Sequence, residues 1–384
     1  MRLLVSLGPR AYPIVLTAAL PGAALGALAR EVLSPRAARL LIVTDANVAP
    51  HYLAGVEAGL AAEGFATAAL VLPPGETSKS MGTIEAILDA AFAHKLARVD
   101  AMVALGGGVI GDLTGFAASI YQRGIAVLQV PTTLLAQVDS SVGGKTGVNH
   151  ARGKNLIGTF WQPRAVLASL ATLRTLPARE VRCGLAEAVK HGFLADPGLI
   201  TAMEADAEAI LALEPAALTP IVAACCRIKA AVVAGDERED PDAVDGGRAI
   251  LNFGHTFGHA YERLLGYGAW THGEAVAVGM VVAARLSERV GGASPGLEAE
   301  VTRVLARFGL PHDPWAAGVP GADALEPLIE AARGDKKGDQ DGVRFVLLER
   351  LGVPRVERLT WAEIALALAP WSAARGLATR DGAP

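Results

Sequence analysis

VDAMVALGGGVIGD, residues 99–112, joins an apolar run of strand length to a glycine cluster and then to a helix-like stretch. A continuous apolar run closed by glycine reads as a strand buried on both faces. Parallel sheets need such strands; half-solvated antiparallel sheets show alternation instead. Outward from this stretch the pattern repeats. ARLLIVTD (38–45), ATAALVLP (66–73) and IAVLQVPTT (125–133) read as further buried strands, with helices predicted over VEAGLAAEGF (56–65) and SMGTIEAILDAAFAHKL (80–96). Strands alternating with helices predict an α/β domain whose parallel sheet is covered on both faces. Ligands of such sheets bind beyond the carboxyl ends of the strands, where Asp45, Gly106 and Thr132 fall.

After Pro177 the spacing turns helical, and VRFVLLERLG (343–352) is the one late strand candidate. Two domains are therefore expected, an α/β domain over 1–177 and a mostly helical one over 178–384. The 384 residues are long for one core, and a 52% hydrophobic share fills two. A net charge of −4 without a long basic run gives no footprint for nucleic acid. Cys183, Cys225 and Cys226 form no C-x-x-C pair, which suits a reducing cytoplasm. The uncharged stretch 11–29 imitates a targeting signal, but Pro13, Pro21, Gly22 and Gly26 interrupt it. A strand around Ile14–Leu16 and a helix up to Val32 are expected there. No segment is expected to span a membrane, which takes roughly 18 uninterrupted apolar residues.

Three motifs carry chemistry. GGGVIGD (106–112) holds G-x-G-x-x-G at Gly106, Gly108 and Gly111 after a predicted strand. Such glycines admit a pyrophosphate to a helix N-terminus, or merely make a tight turn. SVGGKTG (141–147) is similar to the end of a phosphate loop, yet Asp139 stands where that loop needs its first glycine. Asp139, Lys145, Lys154 and Asn155 nevertheless lie in a glycine-rich stretch too apolar for a solvated charge run, so an anion is the expected partner. NFGHTFGHA (252–260) sets His255 and His259 one helical turn apart, without the glutamate of H-E-x-x-H. They could be a metal pair, a ligand beside a proton carrier, or two packed histidines. Spacing alone favours His255 and His259 as ligands with Glu187 third, and His272 remains a further candidate.

Together the motifs resemble the 3-dehydroquinate synthases of the sugar-phosphate cyclase superfamily. The stretches PPGETSKS, GGGVIGDLTGFAASIYQRG, QVPTTLLAQVDSSVGGKTGVNH, GKNLIGTFWQP, GLAEAVKHG, DERE, LNFGHTFGHA, HGEAVAVGM and DKK follow in that family's order. The resemblance implies a cytoplasmic carbon–oxygen lyase of the shikimate pathway, a homodimer without nucleic-acid or membrane partners. It would turn 3-deoxy-arabino-heptulosonate 7-phosphate into 3-dehydroquinate and phosphate, using NAD catalytically and one divalent metal, zinc or cobalt. It assigns the metal to Glu187, His255 and His272, against the spacing argument, and makes His259 a phosphate partner or proton carrier.

For NAD the resemblance implies Asp45, Asn47, Glu76 and Lys79, then Gly107, Gly108, Val109, Ile110, Gly111 and Asp112. Further along it implies Thr132, Thr133 and Lys154, and the turn of Thr172, Leu173, Arg174 and Thr175. Asp139 and Lys145 would serve cofactor and substrate alike. Arg123, Lys145, Asn155, and Lys336 or Lys337 would hold the phosphate. Lys190, Lys229, Arg248 and Asn252 would hold hydroxyls and carboxylate. The rival of another reaction class is a metal-dependent NAD alcohol dehydrogenase, which has no need of the phosphate cluster from Arg123 to Asn155.

Overall fold

The computed structural model describes residues 1–240, 242–266, 269–315, 325–334 and 341–373. They divide into two compact units. One is Met1–Val181 with Ala212–Arg238; the other is Arg182–Leu211 with the chain from Glu239 onward.

In the first unit the chain runs β1 (Arg2–Val5), β2 (Tyr12–Thr17), α1 (Pro21–Val32), β3 (Arg39–Asp45), α2 (Ala49–Ala62) and β4 (Ala66–Leu72). It continues through α3 (Met81–Ala93), β5 (Ala101–Gly106), α4 (Gly108–Ile120), β6 (Ala126–Pro131), β7 (Lys145–His150), β8 (Gly153–Phe160) and β9 (Ala165–Ser169). Among the described residues the main sheet has seven strands in the order β1-β2-β9-β6-β5-β3-β4. Its pairs are parallel except for β1 on β2. The apolar runs are continuous because each strand feeds two cores. Leu40, Ile42 and Val103 meet α1 and α2 on one face, while Leu41, Val43 and Met102 meet α3 and α4 on the other. β3 leads to β4 on one side and β5 leads to β6 on the other, so the order reverses between β3 and β5. That is where a doubly wound sheet opens a ligand crevice.

The stretch 11–29 forms β2 and α1, as its strand and helix patterning implies. Gly22 and Gly26, which interrupt the apolar run, are contact points of α1. A Cβ on Gly22 would lie 2.2 Å from the Gly55 carbonyl oxygen, and one on Gly26 2.2 Å from that of Gly59.

The second unit takes α5 (Ala178–Ala195) from its second turn, with α6 (Pro197–Ala205) and α7 (Ala207–Leu211). The chain then forms α8 (Pro215–Gly235), which belongs to the first unit and packs on β1 and the turn Ala136–Ser140. The second unit resumes with α9 (His255–Leu265), α10 (His272–Arg289), α11 (Leu297–Arg307), α12 (Leu325–Arg333), the hairpin β10 (Gly342–Arg350) and β11 (Val353–Thr360), and α13 (Trp361–Ala373). α10 is buried nearly all round and is packed by α9, α11, α13 and β10. This unit is mostly helical; β10 lies where the late strand is expected, and β11 beside it is a strand the sequence reading did not single out.

Two expectations differ from the fold. The division falls at Val181 rather than after residue 177, and α8 lies with the sheet although helical periodicity grouped it with the second domain. Periodicity identifies a helix but not the core it serves. α8 is also long and apolar enough to cross a membrane by length and composition, and half of that apolar stretch is buried. A helix covering a sheet needs such a face.

Candidate active site

At the reversal point β3 ends in Asp45, whose Oδ1 accepts the N–H groups of Asn47 (2.8 Å) and Val48 (3.1 Å). β5 ends in Gly106, and α4 starts behind Gly107 without a side-chain cap. The first bond of that turn runs from the Gly111 N–H to the Gly107 carbonyl, 3.0 Å. The N–H groups of Gly108, Val109 and Ile110 therefore face outward from the helix end, a ready anion cradle. None of these glycines has a positive φ. Side chains crowd them instead: a Cβ on Gly106 would lie 2.7 Å from Ile110, on Gly107 3.0 Å from Thr133, on Gly108 3.0 Å from Ser140 Oγ, and on Gly111 2.8 Å from Gln129. Gly106 is the most confined of them, since its Cβ would meet Ile110 Cβ itself, whereas at the other three the neighbour is the end of a side chain.

Thr132, just beyond β6, is buried, and its Oγ1 has no hydrogen-bond partner among the described residues. Thr44 in β3 has the same property, although its sequence context gives no reason to single it out. Thr133 Oγ1 accepts the Ala136 N–H, 3.1 Å. The turn holding Thr172, buried Leu173, exposed Arg174 and Thr175 is tied to α2: the Tyr52 hydroxyl donates to the Thr172 carbonyl (3.1 Å) and lies 2.7 Å from Thr175 Oγ1.

Lys79 is 5% exposed, with Nζ 2.6 Å from Asp112 Oδ2 and 2.5 Å from Asn155 Oδ1. Glu76 accepts from Asn149 Nδ2 at 2.8 Å, and Asn149 Oδ1 accepts the Asn155 N–H at 2.9 Å. One network thus joins the Glu76 turn, α4 and the β7–β8 hairpin. Burial raises the Asp112 carboxyl above its ordinary value, and the Lys79 ammonium opposes only part of that rise. Lys145 opens β7 and Lys154 lies in β8, so no helix follows the lysine as a nucleoside-triphosphate loop requires. Asp139 sits on a π-helical turn, a feature frequent at functional sites. Lys229 Nζ donates to the Asp139 carbonyl and lies 2.7 Å from its Oδ1, which places this lysine, expected in the second domain, in the first unit. Arg123 is exposed, with φ +68°, a strained conformation for a side-chain-bearing residue.

In the second unit Glu187 of α5, His255 at the start of α9 and His272 at the start of α10 converge. Glu187 Oε1 lies 3.7 Å from His255 Nε2 and 3.4 Å from His272 Nε2. Their ligand atoms lie within 4.8 Å of one another. His259 does not join Glu187 in that group; its ligand atoms fall instead with those of Glu262 and His272. It sits one turn along α9, with its ring centroid 5.5 Å from that of His255. Glycine brings the two helices together: a Cβ on Gly279 would lie 2.0 Å from the Gly254 oxygen, and one on Gly258 3.1 Å from Val276 Cα. The first turn of α10 carries a capping box of Thr271 and Glu274. Its Gly273 N–H donates to Cys183 Sγ at 3.2 Å, one turn before Glu187 on α5.

Burial alone would raise the Glu187 carboxyl, but Lys190 and the two imidazoles hold it well below the usual range. Burial and Lys190 push His255 well below its ordinary value, leaving a neutral ring with a lone pair. Burial opposes charge on His272 too, yet Glu187 and Glu262 outweigh it and lift the ring to about 10. Neither Glu187 oxygen has a well-directed hydrogen-bond donor among the described residues, although the Lys190 ammonium is paired with Oε2. A buried carboxylate facing two imidazole nitrogens fits a divalent cation. Arg248, 2% exposed, and Asn252 lie on the 3-10 stretch Val244–Asn252, and Lys190 is 1% exposed. Lys336 and Lys337 lie outside the described residues.

Residues 69–183 match the family model described as 3-dehydroquinate synthase N-terminal, and residues 184–338 match 3-dehydroquinate synthase C-terminal. The chain belongs to the 3-dehydroquinate synthase family. It is 46% identical over 354 residues to the 3-dehydroquinate synthase of Neisseria meningitidis serogroup C, covering 92% of this chain and 94% of that protein. A 2-deoxy-scyllo-inosose synthase, solved with carbaglucose-6-phosphate, NAD+ and Co2+, matches with a TM-score of 0.82 at 26% identity, over 96% of this chain and 99% of its own. The 2-epi-5-epi-valiolone synthase of Streptomyces hygroscopicus subsp. jinggangensis, solved with NAD+ and Zn2+, matches at 0.77 and 27%, over 95% and 97% of the two chains.

Proposed function

We propose that this chain converts 3-deoxy-arabino-heptulosonate 7-phosphate into 3-dehydroquinate and phosphate, with NAD and one divalent ion, zinc or cobalt. The observation that carries the proposal is the convergence of buried Glu187 and His255 with half-buried His272, in a chain whose curated relative bears that enzyme's name. Two related cyclases solved with NAD+ and with Co2+ or Zn2+ support the same two cofactors. When bound, the ion supplies Lewis acidity toward substrate oxygens, and NAD supplies a reversible hydride acceptor.

The chain's own residues have separate tasks. The open N-terminus of α4 and the orphan Thr132 hydroxyl receive the dinucleotide, with Asp45, Asn47, Glu76, Lys79 and Asp112 framing it. The turn from Thr172 to Thr175, with Thr133 and Lys154, completes that frame. Asp139, held by Lys229, meets the reacting hydroxyl. Arg123, Lys145, Asn155 and His259 hold the phosphate and favour its departing charge, with Lys336 or Lys337 as a further cation. Lys190, Arg248 and Asn252 hold the substrate's hydroxyls and carboxylate. Three buried free cysteines suit a reducing cytoplasm, and a homodimer is the proposed assembly.

The decisive assay is phosphate release from the heptulosonate phosphate with substoichiometric NAD. Turnover without accumulating reduced nicotinamide is expected; stoichiometric reduction would mean a dehydrogenase instead. His259→Ala should keep its metal and NAD and lose phosphate release by about 30- to 1000-fold, the rate equivalent of ~2–4 kcal/mol in a dry site. If that variant loses its metal, His259 is a ligand and the assignment to His272 fails.

A further inference from the structure

We propose that Glu262, a residue outside every motif above, is the positioning residue that fixes His272 as a metal ligand. The inference rests on the metal reading just given. Glu262 lies on α9, three residues after His259, and its side chain is only 8% exposed. Its neighbours Ala260 and Tyr261 are fully buried. A carboxylate kept in such surroundings needs partners, because desolvation disfavours its charge. One partner is His272, whose Nδ1 lies 3.4 Å from Glu262 Oε2 while Nε2 lies 3.4 Å from Glu187 Oε1. The ring is thus held between two carboxylates, one on each nitrogen.

A neutral imidazole has one N–H and one lone pair. If Nε2 is to offer its lone pair to a cation beside Glu187, the proton must sit on Nδ1. A carboxylate acceptor at Nδ1 selects that tautomer and fixes the ring plane. The other histidine shows the same logic with a different acceptor, since His255 Nδ1 lies 3.2 Å from the Phe253 carbonyl oxygen. A backbone carbonyl orients one ligand and a carboxylate orients the other. Only the second can be removed by substitution, which makes the proposal testable.

The same surroundings contain a competing arrangement, because His259, Glu262 and His272 also offer ligand atoms within 4.8 Å of one another. There Glu262 would itself bind an ion. The test titrates cobalt(II) into the full chain, by chelator competition and metal analysis, for the wild type, Glu262→Gln, Glu262→Ala and His255→Ala. Expected are one ion per wild-type chain, its loss in His255→Ala, and about 10- to 100-fold weaker binding in Glu262→Ala. Glu262→Gln should recover part of that affinity, since its amide oxygen still accepts from Nδ1. The ring nitrogen signals of His272 in the zinc-loaded protein should report an Nδ1–H tautomer. Wild-type cobalt affinity in both Glu262 variants, with only the metal-free melting temperature lowered, would show a merely structural carboxylate and overturn the proposal. Two ions in the wild type falling to one in Glu262→Ala would overturn it equally, because Glu262 would then be a ligand. A wild type that binds no cobalt, or an unaffected His255→Ala, sinks the metal reading instead.

Discussion

A helix pair in each unit meets backbone to backbone through glycine, α1–α2 in the first and α9–α10 in the second, and the two use that contact differently. In the first unit α1 and α2 touch through Gly22 and Gly26 against Gly55 and Gly59. The residues around that contact, such as Leu25, Leu28, Val56 and Leu60, are apolar core. In the second unit α9 and α10 touch through Gly254 and Gly258 against Gly279, and there the glycines alternate with the histidines of the proposed site. His255 and His259 each follow a glycine by one position, and His272 lies two turns before Gly279. Close approach therefore gives packing in the first pair, whereas in the second it also sets the distance between imidazoles. The same small-residue spacing means core in one place and chemistry in the other, depending on what stands beside the glycine.

The largest effects should come from filling these contacts. A Cβ on Gly59 would lie 2.1 Å from the Gly22 oxygen, and one on Gly279 2.0 Å from the Gly254 oxygen. Backbone cannot yield as a side chain does, so Gly59→Ala and Gly279→Ala should each cost at least ~1–3 kcal/mol, the usual range for overpacking. For units of this size that is about 2–4 °C of melting temperature per kcal/mol. Of the two, only Gly279→Ala should also weaken cobalt binding, because only α9 and α10 carry the proposed ligands His255 and His272. Equal metal affinity in the two variants would erase the distinction drawn between the pairs.

An intermediate effect is expected from Lys79→Met, which removes the cation facing Asp112 in the first unit. Burial already raises the Asp112 carboxyl and Lys79 restrains it, so the variant should raise it further. A carboxyl whose folded value is raised favours the folded state at low pH and loses that advantage as pH rises through the folded value. The stability lost on substitution should therefore be larger at pH ~8 than at pH ~5, as read from urea midpoints. A loss independent of pH would mean that Lys79 acts by packing and by its bond to Asn155, not by charge.

These contrasts also mark how far the sequence could be read. The buried strands, the strand ends at Asp45, Gly106 and Thr132, and the late strand near residue 343 follow from apolar runs and glycine, which are local signals. The unit to which α8 belongs does not follow, because its periodicity is satisfied by any apolar surface. The third corner of the proposed metal group does not follow from spacing either. His255 and His259 share a helix face, but the fold turns His272, at the first position of α10, toward Glu187. Glu262 was illegible for a related reason. In HAYERLL it reads as an exposed acid beside Arg263, and only the packing of α9 shows that its carboxylate is covered.

The smallest effect expected is none at all, and it separates the units once more. Cys225 and Cys226 in the first unit are fully buried, and Cys183 in the second is 3% exposed. Cys226 Sγ donates to the Gln137 carbonyl at 3.3 Å, and burial lifts its thiol from 9.0 to about 12. The thiolate is the reactive form, so at pH ~8 the folded chain should resist a thiol reagent, whereas all three cysteines should react in urea. The sign carries a second consequence. A thiol raised in the folded state contributes stability that is complete below 9.0 and is lost as pH climbs toward about 12. Cys226→Ala should therefore flatten part of the alkaline fall in the urea midpoint. Cys183 has the slight exposure and lies against the first turn of α10, so it should be the first thiol to react on partial denaturation, before the buried pair on α8. If Cys226 is labelled first, α8 opens before the α5–α10 contact does, and the second unit holds α5 and α10 together more firmly than the first holds its covering helix.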